Sequence, residues 1–217
     1  MTATPTPTSP AELVGTTTGA YLAPLQRGYL NDESWAVSLL ARLRRGAGKL
    51  PQDVPDLWGA TGLEELHHQL PPRSGDTALE RAEAAQFIAV TLYALHQQSR
   101  RTTRMHHPGT ELGTAVRRLM PGGAIDEPIR RRFVRAGTAT TRQALAERLR
   151  DLVSLLHRES IPIDYALLAQ RLYQAQLPDG MRQVRQRWGR SFHAHRPAAT
   201  PADTAPSPAH SPGEADD

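Results

Sequence analysis

The chain has no cysteine among its 217 residues. Disulfides and thiolate chemistry are thereby excluded, and a zinc site would have to be built from histidines and carboxylates. Aromatic residues amount to only 5% of the sequence: three Trp, five Tyr and three Phe. Most fall on predicted core stripes, so a platform for stacking successive bases is not expected. No run of eighteen apolar residues occurs, which leaves no candidate membrane span. The N-terminus lacks the basic region and apolar run of a signal peptide, so a soluble, cytoplasmic protein is expected. There is no GxSxG, no phosphate-cradling GxxxxGK[ST], no GxGxxG and no HExxH. Catalysis is not expected, and neither is a cofactor.

Large apolar residues are also missing from both ends. Residues 1–10 read MTATPTPTSP and residues 197–217 read PAATPADTAPSPAHSPGEADD. Such segments bury too little surface to offset the entropy of ordering, so tails over 1–12 and 197–217 are expected to be disordered.

Between the tails the periodicity is helical almost throughout, with no convincing alternating strand. The spacing predicts helices over Ala20–Leu30, an earlier start being left open, with Pro24 in its first turn, and over Asp32–Arg45, with Asn31 or Asp32 as cap and Trp35, Leu39, Leu40 and Leu43 on its apolar side. A short helix over Leu63–Gln69 follows a Gly/Pro-rich connection. Leu79–Arg101 carries apolar residues on most sides and reads as the central buried helix. Further helices are expected over Glu111–Met120, from Asp126 to Gly137, over Thr141–Arg158 with its stripe Leu145, Leu149, Leu152, Leu156, from Pro162 to Gln176, and over Met181–His193. The predicted fold is all-α: roughly eight helices in two small helical-bundle subdomains, 13–105 and 106–196, between disordered tails.

Charge is what the chain has in excess, and it is unevenly placed. Residues 100–196 hold nineteen arginines, no lysine and eight carboxylates, a sum of +11, whereas residues 11–99 hold seven bases and ten acids, a sum of −3. Too few acids lie in the second half to pair these arginines. A one-sided arginine surface is the electrostatic footprint of a phosphate backbone, and guanidinium forks suit phosphate better than ammonium groups. Arginines dispersed over several helices track a backbone; reading base edges needs a few side chains on one groove-fitting element. A helix-turn-helix over Leu112–Ala136 is the rival arrangement. Its connection Pro121–Ile125 is longer than a compact turn, and its second helix opens on two acids where base contacts belong. The pairs His67-His68 and His106-His107 point apart on a helix or lie in loops, so no metal site is expected. The carboxylate pairs Asp32-Glu33, Glu64-Glu65 and Asp126-Glu127 sit at helix starts, where they favour the helix dipole.

An ordered set of short segments gives this surface a context. Ala41-Arg42-Leu43-Arg44-Arg45-Gly46 follows Leu39-Leu40, and Ala94-Leu95-His96-Gln97-Gln98 comes late in the central helix. Leu112-Gly113, Val116-Arg117-Arg118-Leu119, Phe133-Val134-Arg135-Ala136 and Leu149-Arg150 come next, then Ile161-Pro162-Ile163-Asp164-Tyr165-Ala166-Leu167-Leu168. Over residues 20–195 this order resembles the CasB family, the small subunit of the type I-E CRISPR surveillance complex Cascade. The resemblance implies a non-catalytic, all-helical protein. It also implies that two copies pack head to tail, beside the other Cascade subunits, and help hold the CRISPR RNA, the target DNA and the displaced non-target strand. One departure is visible: where some members carry paired tryptophans, Tyr173-Gln174 stands here. The resemblance supports Arg44, Arg45 and Arg135, and in looser register Arg117, Arg118, Arg131, Arg132 and Arg150. Charge and helix phase add Arg100, Arg101, Arg182, Arg187 and Arg190. A stand-alone DNA-binding regulator and a protein-only adaptor whose arginines meet acidic partners are the alternatives to this reading.

Overall fold

Helix α1 (Pro10–Leu30) begins ten residues before the expected Ala20. In the computed structural model, which describes residues 9–70, 75–122 and 124–194, Ser9 and Glu12 form a reciprocal cap. The Glu12 N–H donates to Ser9 Oγ (3.3 Å), and the Ser9 N–H donates to the Glu12 carboxylate (3.0 Å). Two orphan donors are satisfied at once, and the Ser9 N–H holds the Glu12 carboxyl below its usual range. Pro10 supplies the preset φ of a first helical position. Pro24 therefore lies in the helix interior and not in its first turn. Residues 9–12, read as tail, are the cap and opening turn of α1; residues 1–8 and 195–217 lie outside the described residues.

The remaining helices are α2 (Ser34–Leu43), α3 (Leu63–Gln69), α4 (Asp76–Gln97), α5 (Leu112–Arg118), α6 (Glu127–Gly137), α7 (Arg142–Arg158), α8 (Tyr165–Ala175) and α9 (Gly180–Ala194). Single 3-10 turns cover Arg44–Gly46, Pro51–Asp53 and Pro55–Leu57. The chain is all-α, and among the described residues the nine helices are accompanied by no strand, only an isolated bridge between His106 and Ile163. Asp126, Thr141 and Asp164 cap α6, α7 and α8 by accepting from Ile129, Ala144 and Leu167 N–H, the side-chain chemistry that favours these residues at helix starts.

Helix α4 is the central element, packed against α1, α2, α3, α7 and α8. Its buried polar side chains Gln86, Thr91, His96 and Gln97 each have a hydrogen-bond partner, as the cost of an unmade hydrogen bond in an apolar interior favours. Gln86 accepts from Thr17 and donates to the Thr61 and Gly62 carbonyls. His96 Nδ1 lies 2.8 Å from the Tyr165 hydroxyl. Gln97 donates to the Arg100 and Thr103 carbonyls and accepts from Met105 N–H, pinning the α4–α5 connection. The central helix ends at Gln97 and not Arg101, because Ser99 takes a left-handed φ of 59° that a helix cannot continue through.

One apolar cluster runs from Ala11 to Phe192. Helices from both sides of residue 105 contribute to it: α1 lies along α8, and α4 touches both α7 and α8. Gly15 and Gly19 allow that closeness. A Cβ at Gly15 would come 3.1 Å from the Ala166 carbonyl oxygen, and one at Gly19 would come 3.2 Å from Ala166 Cβ. Trp35, placed on the apolar side of α2 by its spacing, is 49% exposed. Its indole N–H donates to Glu33 at 2.6 Å, so the ring lies along the surface.

Candidate nucleic-acid interface

Helix α9 sets its charge by helical phase alone. Val184, Trp188 and Phe192 are buried along one stripe, and Arg182, Arg185, Arg187 and Arg190 are all exposed. The helix Gly180–Ala194 contains no carboxylate. Asp179, just before it, lies 3.4 Å from Arg182 as an exposed pair. Arg185, Arg187 and Arg190 have no ion pair among the described residues.

Helix α6 lies between α7 and α9. Only Ala136 and Gly137 are fully buried on it, with Ile129 and Phe133 half-buried. Glu127 in its first turn takes a two-pronged contact from Arg130 (2.7 Å for each pair) and stands 3.9 Å from Arg131. The Arg130 hydrogen bonds hold the Glu127 carboxyl below its usual range and raise Arg130 in turn. Both groups are fully exposed, so this pair positions the side chains more than it stabilises the fold. One turn on, Arg132 and Arg135 meet Arg148 of α7 around a polar pocket of about 310 Å³ that Glu147 and Asp151 also line. Three guanidinium groups and two carboxylates share that space, and Arg148 was not singled out from the sequence. Finding it requires knowing that α6 and α7 pack side by side.

On the opposite flank of α7, Arg150 lies across Gly48. Gln143 donates to the Gly48 carbonyl at 3.3 Å, tying α7 to the turn after α2. That turn carries Arg44, which donates to Gln98 Oε1 at 2.6 Å, and Arg45, which pairs with Asp56 at 2.8 Å. Both are exposed. The turn is possible because Gly46 sits where a Cβ would press within 2.7–3.0 Å of Leu57, Thr91 and Phe87.

Packing therefore sets in succession the 44–46 turn, α7, α6 and α9. Of the arginines predicted from the sequence, Arg44, Arg45, Arg131, Arg132, Arg135, Arg150, Arg182, Arg187 and Arg190 lie exposed on these neighbouring elements. Arg118, at the end of α5, is exposed with no ion pair among the described residues.

Three predicted residues are placed elsewhere. Arg117 is 7% exposed; its guanidinium donates to the Met120 and Ala124 carbonyls (3.1 and 3.2 Å) and lies 5.8 Å above the Phe192 ring. Arg100 is half-buried and donates to the His157 and Arg158 carbonyls at the end of α7 (2.5 and 3.2 Å), where a cation meets the negative end of the helix dipole. Arg101 lies 4.4 Å over the Tyr29 ring and pairs with Asp32. Adjacent arginines on a helix diverge by about 100°, which is why Arg117 turns inward while Arg118 faces solvent. Asp126 and Glu127 open α6 with two acids where base contacts belong.

Among the described residues no group of three or more His, Asp or Glu side chains could hold a metal ion. No helix there is long and apolar enough to cross a membrane.

Residues 39–193 match the family described as CRISPR-associated protein Cse2. The fold is similar to the crystal structure of CasB from Thermobifida fusca, with a TM-score of 0.77 and 51% sequence identity, over 83% of this chain and 98% of that one. A search of curated proteins finds no match.

Proposed function

The chain belongs to the Cse2 family of CRISPR-associated proteins, and on that premise we propose that it is a non-catalytic small subunit of the RNA-guided surveillance complex Cascade. Its task is to hold nucleic-acid backbones: the CRISPR RNA, the target DNA and the displaced non-target strand. It works beside the other Cascade subunits and a second copy of itself, in the cytoplasm. In RNA-guided recognition base pairing reads the sequence, and protein subunits hold backbones and stabilise the displaced strand. A surface with no base-reading element suits that division of labour.

The observation that carries this reading is the succession of exposed arginines along the 44–46 turn, α7, α6 and α9, ending on a helix with four arginines and no carboxylate. Exposed cations with few acids to neutralise them gain most from polyphosphate, because each phosphate contact releases condensed counterions. Arg100, Arg101 and Arg117 are left out of the proposed surface, because their guanidinium groups are engaged with neighbouring parts of the fold. Glu147 and Asp151, placed among Arg132, Arg135 and Arg148, keep the local charge modest, which suits a subunit that binds weakly alone and firmly within an assembly.

The test is a titration of the full chain with single-stranded DNA and RNA of mixed sequence over a range of salt. The logarithm of the affinity should fall linearly with that of the salt concentration, by about 0.7 for each phosphate neutralised on a single strand. It should vary little with base sequence. Affinity that stays flat as salt rises would overturn the reading.

A further inference from the structure

Between α6 and α9 lies a groove of about 260 Å³ that the backbone surface does not account for. Its lining is largely apolar: Phe133, Val134, Trp188 and Gly189 contribute, and Arg130 and Arg185 stand on its rim. The aromatic floor is ordered, with the Phe133 ring stacked on Phe192 at 5.5 Å and 21° and set 6.3 Å from Trp188. Val134 faces solvent at 47% exposure although it lies beside a neighbouring helix. Trp188 is 2% exposed, and its indole N–H has no acceptor among the described residues.

We propose that this groove takes one unpaired base of the strand whose phosphates lie on the flanking arginines. The inference rests on the backbone reading above and adds to it a site for the base. A cavity smaller than the roughly 300–1,000 Å³ of sites for drug-sized ligands admits a single heterocycle and excludes a base pair or a helix. Arg130 on the rim is paired with Glu127, but Arg185 has no ion pair among the described residues and α9 carries no acid, so an anionic partner is favoured over a basic one. A nucleotide joins a planar ring with broad π-faces to an anion on the far side of one sugar, and a largely apolar slot beside arginines can meet both parts. Half-buried Phe133 lines the groove, and aromatic contact is open to every base. Thr138 and His193 are the uncharged polar side chains beside it, so most of the contact is made without reading the base. Base–aromatic contacts of this kind are sequence-tolerant, in keeping with a surface whose partner strand varies.

Gly189 supplies the test, because a Cβ there meets nothing within 4 Å. Gly189→Leu adds a bulky side chain at a position that lines the groove, one helical turn from Arg185, and replaces a poor helix former by a good one. The full chain is titrated with a short oligothymidine strand and with an abasic strand of equal length. The intact strand is expected to bind about tenfold tighter, within the range found for removal of one stacking contact. In Gly189→Leu the intact strand should fall to the abasic level while the abasic strand is unaffected. Equal, salt-dependent binding of both strands to the unaltered protein overturns the base slot and leaves the backbone reading standing. Preference for the intact strand that survives Gly189→Leu puts the base contact elsewhere and also overturns it. Loss of assembly with protein subunits in Gly189→Leu, with strand binding unchanged, assigns the groove to an apolar protein side chain. Failure of either strand to bind at low salt overturns the backbone reading and the slot together.

Discussion

Arg150 lies directly over Gly48: a Cβ added to Gly48 would stand 2.8 Å from Arg150 Cδ and 3.3 Å from its Cβ. Gly48 also has φ +80°, a region open to glycine and costly to other residues by about 1–2 kcal/mol. The turn that carries Arg44 and Arg45 thus reaches α7 through a contact that only glycine permits. Gly48→Ala should lower stability by about 1–3 kcal/mol and weaken single-strand binding by more than Arg150→Ala does, because it displaces the turn as well as the side chain. Thermal melting and strand titration of both variants check this. Equal binding by the two variants would show that the turn and α7 act independently.

Arg117 and the α9 arginines separate fold from surface. Arg182→Glu, Arg187→Glu and Arg190→Glu combined should abolish most single-strand binding at moderate salt with an unchanged far-ultraviolet dichroism spectrum, since all three side chains are exposed. Arg117→Ala should do the reverse. It leaves the Met120 and Ala124 carbonyls without their donor and opens space over Phe192, a loss of about 2–4 kcal/mol. Its binding, measured well below the melting temperature, should change less than twofold. A large binding defect in folded Arg117→Ala would return that residue to the interface.

Gly113 tests how α9 is seated. A Cβ there would fall on the Trp188 carbonyl oxygen and crowd Ser191 Oγ and Phe192 N. All of these belong to α9, and backbone atoms cannot swing aside as a flexible side chain can. Gly113→Ala should therefore push α9 away from α5, expose Trp188 and lower the melting temperature by several degrees, despite alanine's better helix propensity. A red-shifted tryptophan emission is the expected signature, and a raised melting temperature would contradict the packing.

What could be read from the sequence follows the physics of each segment. The α7 stripe Leu145, Leu149, Leu152 and Leu156 is buried as its spacing predicts, because one apolar face against a core leaves a strong 3.6-residue period. The first half of α1 is weakly legible for the opposite reason. Gly15, Thr16, Thr17, Thr18 and Gly19 read as a poor helix, yet the glycines are where Ala166 approaches. Thr17 and Thr18 turn their hydroxyls onto the Leu13 and Val14 carbonyls (3.0 and 2.7 Å), so the alternative to helix that such residues usually offer is satisfied within it. Propensity was overridden by a neighbour nearly 150 residues away in sequence. For the site, the sign and bulk of the charge were legible, as was the outward phase of Arg182, Arg187 and Arg190. Its assembly across the 44–46 turn, α7 and α6 was not, because Arg148 and Gly48 acquire meaning only from which elements touch. The apolar groove was hidden by the same limit: Phe133 and Trp188 each read as core residues of their own helices.

His96 gives the fold a dependence on pH that can be checked without any ligand. Its ring is fully buried, with Nδ1 2.8 Å from the Tyr165 hydroxyl and Nε2 unpartnered among the described residues. Burial, and secondarily the nearby His157 and Arg100, lower its pKa from 6.5 to about 3. The folded protein therefore refuses a proton that the unfolded chain accepts at the ordinary value. Above pH ~6.5 neither state is protonated and His96 adds no pH dependence. As pH falls from ~6.5 toward ~3 the unfolded state binds the extra proton, and stability drops by up to about 1.4 kcal/mol per pH unit. Below about 3 both states are protonated and the slope from this group ends. His106 lies below its ordinary range by burial, opposed by the pull of Asp164, and slopes the same way. His96→Gln should accordingly be less stable near neutral pH, having lost the fitted ring against Tyr165, yet show a shallower fall in melting temperature between pH ~6 and ~4, with a remainder due to His106. Parallel curves for the variant and the unaltered chain would show that His96 stays as easily protonated in the fold as out of it.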